Sequence, residues 1–345
     1  MRFDAVRIAG LGHDLAPEVV TSEELEERLA PVYDRLRLRT GRLELMSGIR
    51  ERRFYPPGER PSAIAARAGE RALEDSGVDR ASIGVLIHAS VCRDFLEPAT
   101  ATVVHHALDL PQTCQVFDLS NACLGVLNGI VLAARMIEAG AIEAGLIVSG
   151  EDGRGLVDET VRALLADESL TRESIKPAFA SLTIGSGGAA VVVTRASDDD
   201  RRGRLRGGAL LAATEHNVLC QGDKDGSVAG PLMTTDSEAL LQAGNALAGR
   251  TFERLLTELE WTRADVERVV THQVGAAHRR LLFETVGLDT ALDFPTVETL
   301  GNTGSAALPA ALSLAAEDGF LEAGQRVALL GIGSGLNCLM LGLEW

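Results

Sequence analysis

Apolar residues in this chain gather in short continuous runs rather than in strict alternation, as in VLIHAS after Gly84, LIVSG after Gly145 and RVALLG after Gln325. Such runs predict strands covered on both faces, the arrangement of a parallel-rich sheet with helices packed on either side. The opening segment MRFDAVRIAGLGHD reads as a first strand, its apolar stretch being too short for a signal peptide. Between the strand runs lie helical stretches. Two are polar on one side (ERALEDSG, RLLTELEW), and one, LGVLNGIVLAARMIEAG, is apolar nearly all round and predicts a buried helix ending at Gly140.

The pattern occurs twice. MIEAGAIEAG before LIVSG pairs with AAEDGFLEAG before QRVALLG at an offset of 179 residues, and DRASIGVLIHASV pairs with TRADVERVVTHQV at 183. A third echo, IGSG at Ile184 and again at Ile332, has an offset of 148, which locates an insertion of 31 residues between Gly150 and Ile184. Repetition at a fixed period argues for two similar α/β halves in one fold, residues 1–196 (insertion near 151–183) and 205–345. The one disorder-prone stretch, SDDDRRGR from Ser197 to Arg204, sits where the halves join.

Composition adds bounds. A hydrophobic share of 46% in 345 residues suits one sizeable shared core, and no apolar run approaches the roughly 20 residues that span a bilayer. Five cysteines without a CxxC pair point to free thiols, a cytoplasmic setting and no zinc site. The net charge of −16 disfavours nucleic acid and anionic membranes as partners. It also disfavours an acidic carrier protein as acyl donor, whereas the phosphates of coenzyme A need only one or two arginines. Arg50, Arg52 and Arg53 in LMSGIRERRF are candidates, with a solvated charged face as the plainer reading.

The 179-residue offset brings Cys123, in FDLSNACLGVLNG, onto Asn302, in TLGNTGSAALP. A pseudo-twofold fold would then place both at helix starts near the molecular centre. A thiol there meets the positive end of a helix dipole and backbone N–H groups, which favour thiolate and predict a lowered pKa. Against this stands the common case of a lone Cys as a small buried hydrophobe; Cys92, Cys114, Cys220 and Cys338 lack a helix-start setting and read as core or near-site packing. His272 ends a predicted strand where the first copy has Ala89, the position at which α/β sheets present functional groups. Singly, His272 reads as a hydrogen-bonded core residue and Asn302 as a helix cap. Together with Cys123 they form a constellation suited to covalent catalysis.

FDLSNACLG, THQVGAAH, GNTGSAALP and GIGSGLNC resemble the thiolase superfamily in its ketoacyl synthase III branch, along essentially the whole chain. LMSGIRERRF, SVCRDFLEPATA and ATEHNVLCQG resemble, within it, the enzymes that join two fatty acyl-CoA molecules head to head. The resemblance implies a five-layered αβαβα fold, a homodimer, acyl-CoA thioesters as substrates and no separate cofactor. It implies that Cys123 is acylated, with its own N–H and that of Gly335 holding the thioester oxyanion, and that His272 and Asn302 hold an enolate. Glu97, 26 residues ahead of Cys123, is implied to cross the dimer interface as the base that removes an α-proton. A plain first-turn Glu is its other reading.

Ketoacyl synthase III enzymes generally follow their His-Gln with Ala-Asn. Val274 and Gly275 stand there instead, while Gly125 and Val126 leave chain-length preference open. Two further functions stay open at this point. One is decarboxylative condensation of an acyl starter with a malonyl thioester; the other is thioester hydrolysis, or membership of a heterodimeric condensing enzyme.

Overall fold

The computed structural model describes residues 1–197, 202–223 and 232–345; four residues of the SDDDRRGR segment, 198–201, lie outside them. The first half runs β1 (Val6–Leu15), β2 (Glu18–Thr21), α1 (Ser22–Arg28), α2 (Ala30–Leu36), α3 (Arg42–Ser47), β3 (Glu51–Phe54) and α4 (Pro61–Ser76). It continues through β4 (Ile83–Ala89), α5 (Thr100–Ala107), β5 (Gln115–Leu119), α6 (Gly125–Glu138), β6 (Ala144–Glu151), α7 (Arg154–Ala166) and β7 (Gly187–Arg195). The second half runs β8 (Arg204–Ala212), β9 (Cys220–Asp223), β10 (Leu232–Thr235), α8 (Ser237–Leu259), β11 (Arg268–Thr271) and α9 (Ala276–Val286). It ends with α10 (Val297–Leu300), α11 (Ala307–Glu317), β12 (Arg326–Gly333) and β13 (Asn337–Glu344).

Hydrogen bonding orders the large sheet β11-β12-β13-β8-β1-β7-β6-β4-β5. Read outward from its middle, each half follows one plan. β1, β7, β6 and β4 correspond to β8, β13, β12 and β11, and the halves meet at the antiparallel pairing of Arg7 with Arg204. The outermost position, β5 in the first half, is marked in the second by a parallel bridge from Val269 to Asp293. Within each half a corresponding neighbouring pair is parallel (β4 with β6, β11 with β12), while the closing strands are antiparallel.

Three buried clusters give five layers. α4 and α5 cover the outer face of the first sheet through Ala65, Ala68, Leu73 and Val104 against Leu86, Leu146 and Val192. α6 and α11 lie between the two halves of the sheet; α11 is buried along nearly its whole length, while α6 buries most of its apolar residues and leaves Leu132 and Arg135 exposed. α8 and α9 cover the second sheet with Leu247, Phe252, Leu255 and Phe283. The chain is thus an α/β protein of αβαβα layering. The inserted segment forms α7 and two 3-10 turns, and packs Val157, Val161, Phe179 and Leu182 against α1–α3 as a separate cap over one end of the inner helices. Among the described residues no helix is long and apolar enough to cross a membrane.

Candidate active site

After β5 the chain turns through Ser120 and Asn121 into the 3-10 turn Ala122–Leu124, which runs directly into α6. Ala122 is left-handed at φ 44°, a conformation that costs a residue with a Cβ about 1–2 kcal/mol and is found chiefly where surrounding structure over-determines it. Here Asn121 donates to Asn128 Oδ1 at 2.7 Å and accepts from Asn337 Nδ2 at 3.4 Å, tying the turn to α6 and to β13. The start of α6 has no cap of its own. Val126 N–H donates instead to Ser305 Oγ of the second half, at 3.2 Å.

That contact corrects the register of the repeat. The inner helix with its preceding turn spans Ala122–Glu138 in the first half and Gly304–Glu317 in the second, three residues less. The offset of 179 therefore holds at the C-terminal ends of the helices, whereas their starts are related by 182. The positional counterpart of Cys123 is Ser305, and Asn302 stands three residues earlier.

Asn302 is nonetheless brought to the site. Its N–H donates to Thr183 O at 2.9 Å and its carbonyl accepts from Gly185 N at 3.0 Å, so the end of the inserted segment clamps its backbone. Its Oδ1 accepts from Gly304 N at 3.0 Å. This settles the orientation of the amide and leaves Nδ2, which has no acceptor among the described residues, as the free donor. It is no helix cap in the ordinary sense, since Thr303 and Ala306 occupy the cap positions.

His272 follows β11, its N–H bonded to Leu330 O at 3.0 Å. It is not a hydrogen-bonded core residue, because Nδ1 is buried without a partner. The ring turns Nε2 to the cavity, and burial, with a smaller contribution from His278, pushes its pKa down to about 4. It is neutral at pH 7, and with no acceptor at Nδ1 the proton is better placed on Nε2, as a donor into the cavity. The next residue, Gln273, fixes this corner. Its Nε2 donates to Phe294 O at 2.7 Å, and its Oε1 accepts from Thr296 N at 2.8 Å and Val297 N at 3.0 Å, at the head of the short helix that leads to Asn302.

Cys123, His272 and Asn302 line one cavity of about 1240 Å³, above the usual range for small-molecule sites. Its walls come from α3 and α7 of the cap (Leu43, Met46, Leu156), from α8 (Leu240, Leu241, Gly244, Ala248) and from the loop after β4 (Cys92–Leu96). On the β12 side Gly333 approaches Cys123: a Cβ there would lie 3.5 Å from Cys123 N and 3.2 Å from Leu124 Cγ. Glycine at this position keeps the thiol's backbone N–H open to the cavity.

The expected low thiol pKa is not found. Burial pushes Cys123 up to about 12, with the carboxylate of Glu151 and the neighbouring Cys220 adding to it. The helix start is outweighed because the site is enclosed by protein and its nearest charge is negative. Glu151, His278 and Gln273 are site-forming residues that sequence reasoning missed. Of these, Gln273 alone carried a signal, its place directly after His272.

Glu97 lies elsewhere. It is exposed on the loop between β4 and α5, and does not line the cavity of its own chain, although Asp94, Phe95 and Leu96 do. It precedes α5, which starts at Thr100, so it is no first-turn residue. Gly335 sits in the β12–β13 turn at φ 124°, where an L-residue would be strained, and its neighbours Ser334 and Leu336 line the cavity. Gly125 and Val126 are buried away from it; a Cβ on Gly125 would meet Ser305 Oγ at 2.8 Å. The arginine cluster breaks up. Arg52 is fully buried, donating to Ser22 Oγ at 3.0 Å and Leu182 O at 3.2 Å, and only Arg50 is left largely exposed. The candidate cysteines divide: Cys92 and Cys220 line the cavity, while Cys114 and Cys338 are core residues.

A doubled five-layer fold with a thiol at one inner helix start and a histidine and an asparagine opposite it defines the thiolase superfamily. Accordingly, residues 58–163 match the thiolase N-terminal domain and residues 256–345 the C-terminal domain of 3-oxoacyl-[acyl-carrier-protein] synthase III. Over its full length and theirs, the chain is 41% identical to the acyl-CoA:acyl-CoA alkyltransferase of Shewanella oneidensis and 39% identical to that of Xanthomonas campestris. It superposes on Xanthomonas campestris OleA with cerulenin bound at a TM-score of 0.94, covering 100% of this chain and 98% of that one. The score is 0.93, covering 99% and 100%, for an OleA variant with bound lauric acid and lauroyl-CoA. The chain belongs to the acyl-CoA:acyl-CoA alkyltransferase family of the thiolase superfamily.

Proposed function

We propose that this protein condenses two fatty acyl-CoA molecules, without decarboxylation, to a 2-alkyl-3-ketoacyl product. The observation that carries the reading is the large, mainly apolar cavity in which Cys123 of one half meets His272 and Asn302 of the other. The Cys123 sulfur attacks the thioester carbon of the first acyl-CoA, coenzyme A leaves as its thiol, and the acyl chain stays on the enzyme. The N–H groups of Cys123 and Gly335 hold the oxyanion, and neutral His272 assists the transfer.

The second acyl-CoA then loses an α-proton to Glu97 of the partner subunit, and His272 and the free Nδ2 of Asn302 hold the enolate oxygen. Attack of the α-carbon on the Cys123 thioester forms the new C–C bond and releases the Cys123 sulfur. No step needs a cofactor or metal beyond acyl-CoA itself. The position of Glu97, exposed beside residues that line the cavity, supports a homodimer in which it serves the partner's site. Solved variants of Xanthomonas campestris OleA carry substitutions at a cysteine, a histidine and a glutamate. That glutamate precedes that cysteine by 26 positions, the spacing of Glu97 and Cys123. Free thiols lining the site suit a reducing, cytoplasmic setting.

The test is incubation of the purified protein with medium- and long-chain acyl-CoAs, with and without malonyl-CoA, read by mass spectrometry. One acyl adduct per chain is expected, absent from Cys123→Ala, with condensed product from acyl-CoA alone. An adduct that persists in Cys123→Ala overturns the nucleophile. Product that forms only with malonyl-CoA replaces the reaction by the decarboxylative one.

A further inference from the structure

The end of β6 holds a carboxylate that the mechanism above does not use. Glu151 is 4% exposed and stands on the cavity wall beside Cys123. Among the described residues no cation pairs with it. Its partners are backbone N–H groups from two distant segments. Oε1 accepts from Val91 at 3.0 Å and from Ser305 at 3.1 Å, while Oε2 accepts from Cys92 at 3.1 Å. A buried carboxylate without a counter-ion is costly unless such donors replace water, so these bonds are what keep it there.

The two segments are the ones that chemistry must hold in register. Val91 and Cys92 open the loop that carries Glu97 out to the surface, and that loop is further tied to β6 by Ser90 Oγ donating to Gly150 O at 2.8 Å. Ser305 belongs to the turn just after Asn302, and its hydroxyl caps the helix of Cys123. Gly304, whose N–H orients the Asn302 amide, packs on the carboxylate: a Cβ there would lie 3.2 Å from Glu151 Oε1. The other cavity acids are engaged differently, Asp94 with Ser62 and Asp152 with Ser186.

We infer that Glu151 is a positioning residue, a carboxylate clamp that sets the Glu97 loop and the Asn302 turn against each other across Cys123. Burial pushes its pKa up and the N–H donors on both oxygens bring it part of the way back; with those oxygens occupied, it acts through the groups it holds. The inference rests on the proposed condensation, in which enolate formation needs both segments and first acylation needs neither in full. Its negative charge also faces Cys123 and Cys92, and removing it should ease ionisation of Cys123.

The experiment compares Glu151→Gln, Glu151→Asp and wild type in three readouts: acylation of Cys123 by lauroyl-CoA, condensation, and iodoacetamide alkylation of Cys123 at fixed pH. In Glu151→Gln, condensation should fall at least tenfold more than acylation, while alkylation of Cys123 speeds up several-fold. Glu151→Asp keeps the charge but not the reach, so condensation should fall with alkylation near wild type. Wild-type condensation in either variant, equal losses of acylation and condensation, or unchanged alkylation in Glu151→Gln overturns the assignment. Amide exchange in the unaltered protein supplies a readout that needs no variant. Peptides covering 90–93 and 304–306 should be strongly protected, and rapid exchange in either removes the clamp. Should wild type itself give no condensed product, the proposed reaction fails while alkylation and exchange still judge Glu151.

Discussion

The two halves share one topology and part company where strands end and inner helices begin. At the end of β4 the first half has Ala89, whose Cβ would lie 3.3 Å from a Cβ on Gly125; the matching place after β11 holds His272. At the start of the inner helix the first half has Cys123, open to the cavity, and the second has Ser305, its hydroxyl committed to Val126 N–H. Close packing in the first half thus sets Ala89 against a helix start that has room only for glycine at position 125, where the other half presents an imidazole to the cavity. In the proposed mechanism this division leaves the nucleophile on the first copy and the hydrogen-bond donors on the second. Burial acts on both in the same sense: it raises the thiol to about 12 and lowers the imidazole to about 4. The resting pair is a thiol and a neutral ring rather than an ion pair.

The strongest challenge to this division is the group that belongs to neither side of the cavity. Glu97→Gln retains size and hydrogen bonding but removes the proposed base. Acylation of Cys123 should proceed, while condensation falls by about a hundredfold to ten-thousandfold and acyl-enzyme accumulates. Mixing Glu97→Gln with Cys123→Ala chains should restore part of the activity through hybrid dimers. Condensation at the wild-type rate in Glu97→Gln would mean that a base inside the cavity does the work.

His272→Ala and Asn302→Ala probe the donor half. Each should slow condensation by about a hundredfold or more, the usual cost of one oxyanion donor, and slow first acylation less, as single-turnover measurements can separate. Equal slowing of both steps by Asn302→Ala would erase the distinction between the two halves' roles.

The smallest effect concerns pH. With the Cys123 thiol near 12, its thiolate fraction, and so its alkylation by iodoacetamide, should keep climbing about tenfold per unit beyond pH 9. A plateau near pH 8 would show that the helix start overrides burial after all. Stability carries the same sign. Cys123 and Cys338 hold their protons up to about 12 in the fold, whereas unfolded thiols release them at about 8.5. The native state binds more protons over that interval, so stability present at neutral pH should be lost between those values, as Tm measured against pH would record.

Much of this molecule is legible in its sequence because the signals are local. Continuous apolar runs marked β4, β6, β11 and β12, and a small-residue apolar stretch marked α6 as a buried helix, although Leu132 and Arg135 on it are exposed. The echo of one run by another at nearly constant spacing exposed the doubled plan, and strand-end and glycine-flanked positions singled out His272 and Asn302. The three-residue shortening of the second inner helix was not legible, because the repeat was matched at the C-terminal ends of the two helices, and the difference appears at their starts. Nor was the fate of Arg52, which reads like its neighbours Arg50 and Arg53 but is carried under the Asn302 turn by the pairing of β2 with β3.

By itself, then, the sequence determined which segments are strands and helices, that they come twice, and which residue types stand at the helix starts. Only the tertiary structure decided how those residues behave. Charge on Cys123, His272 or Glu151 is set by how much water surrounding segments exclude and by which N–H groups they turn inward. Those segments (the cap, the second-half turn, the loop after β4) lie far away along the chain, as Ser305 does from Glu151 at 154 residues. Desolvation and long-range hydrogen bonds are properties of the packed molecule, with no local pattern to announce them.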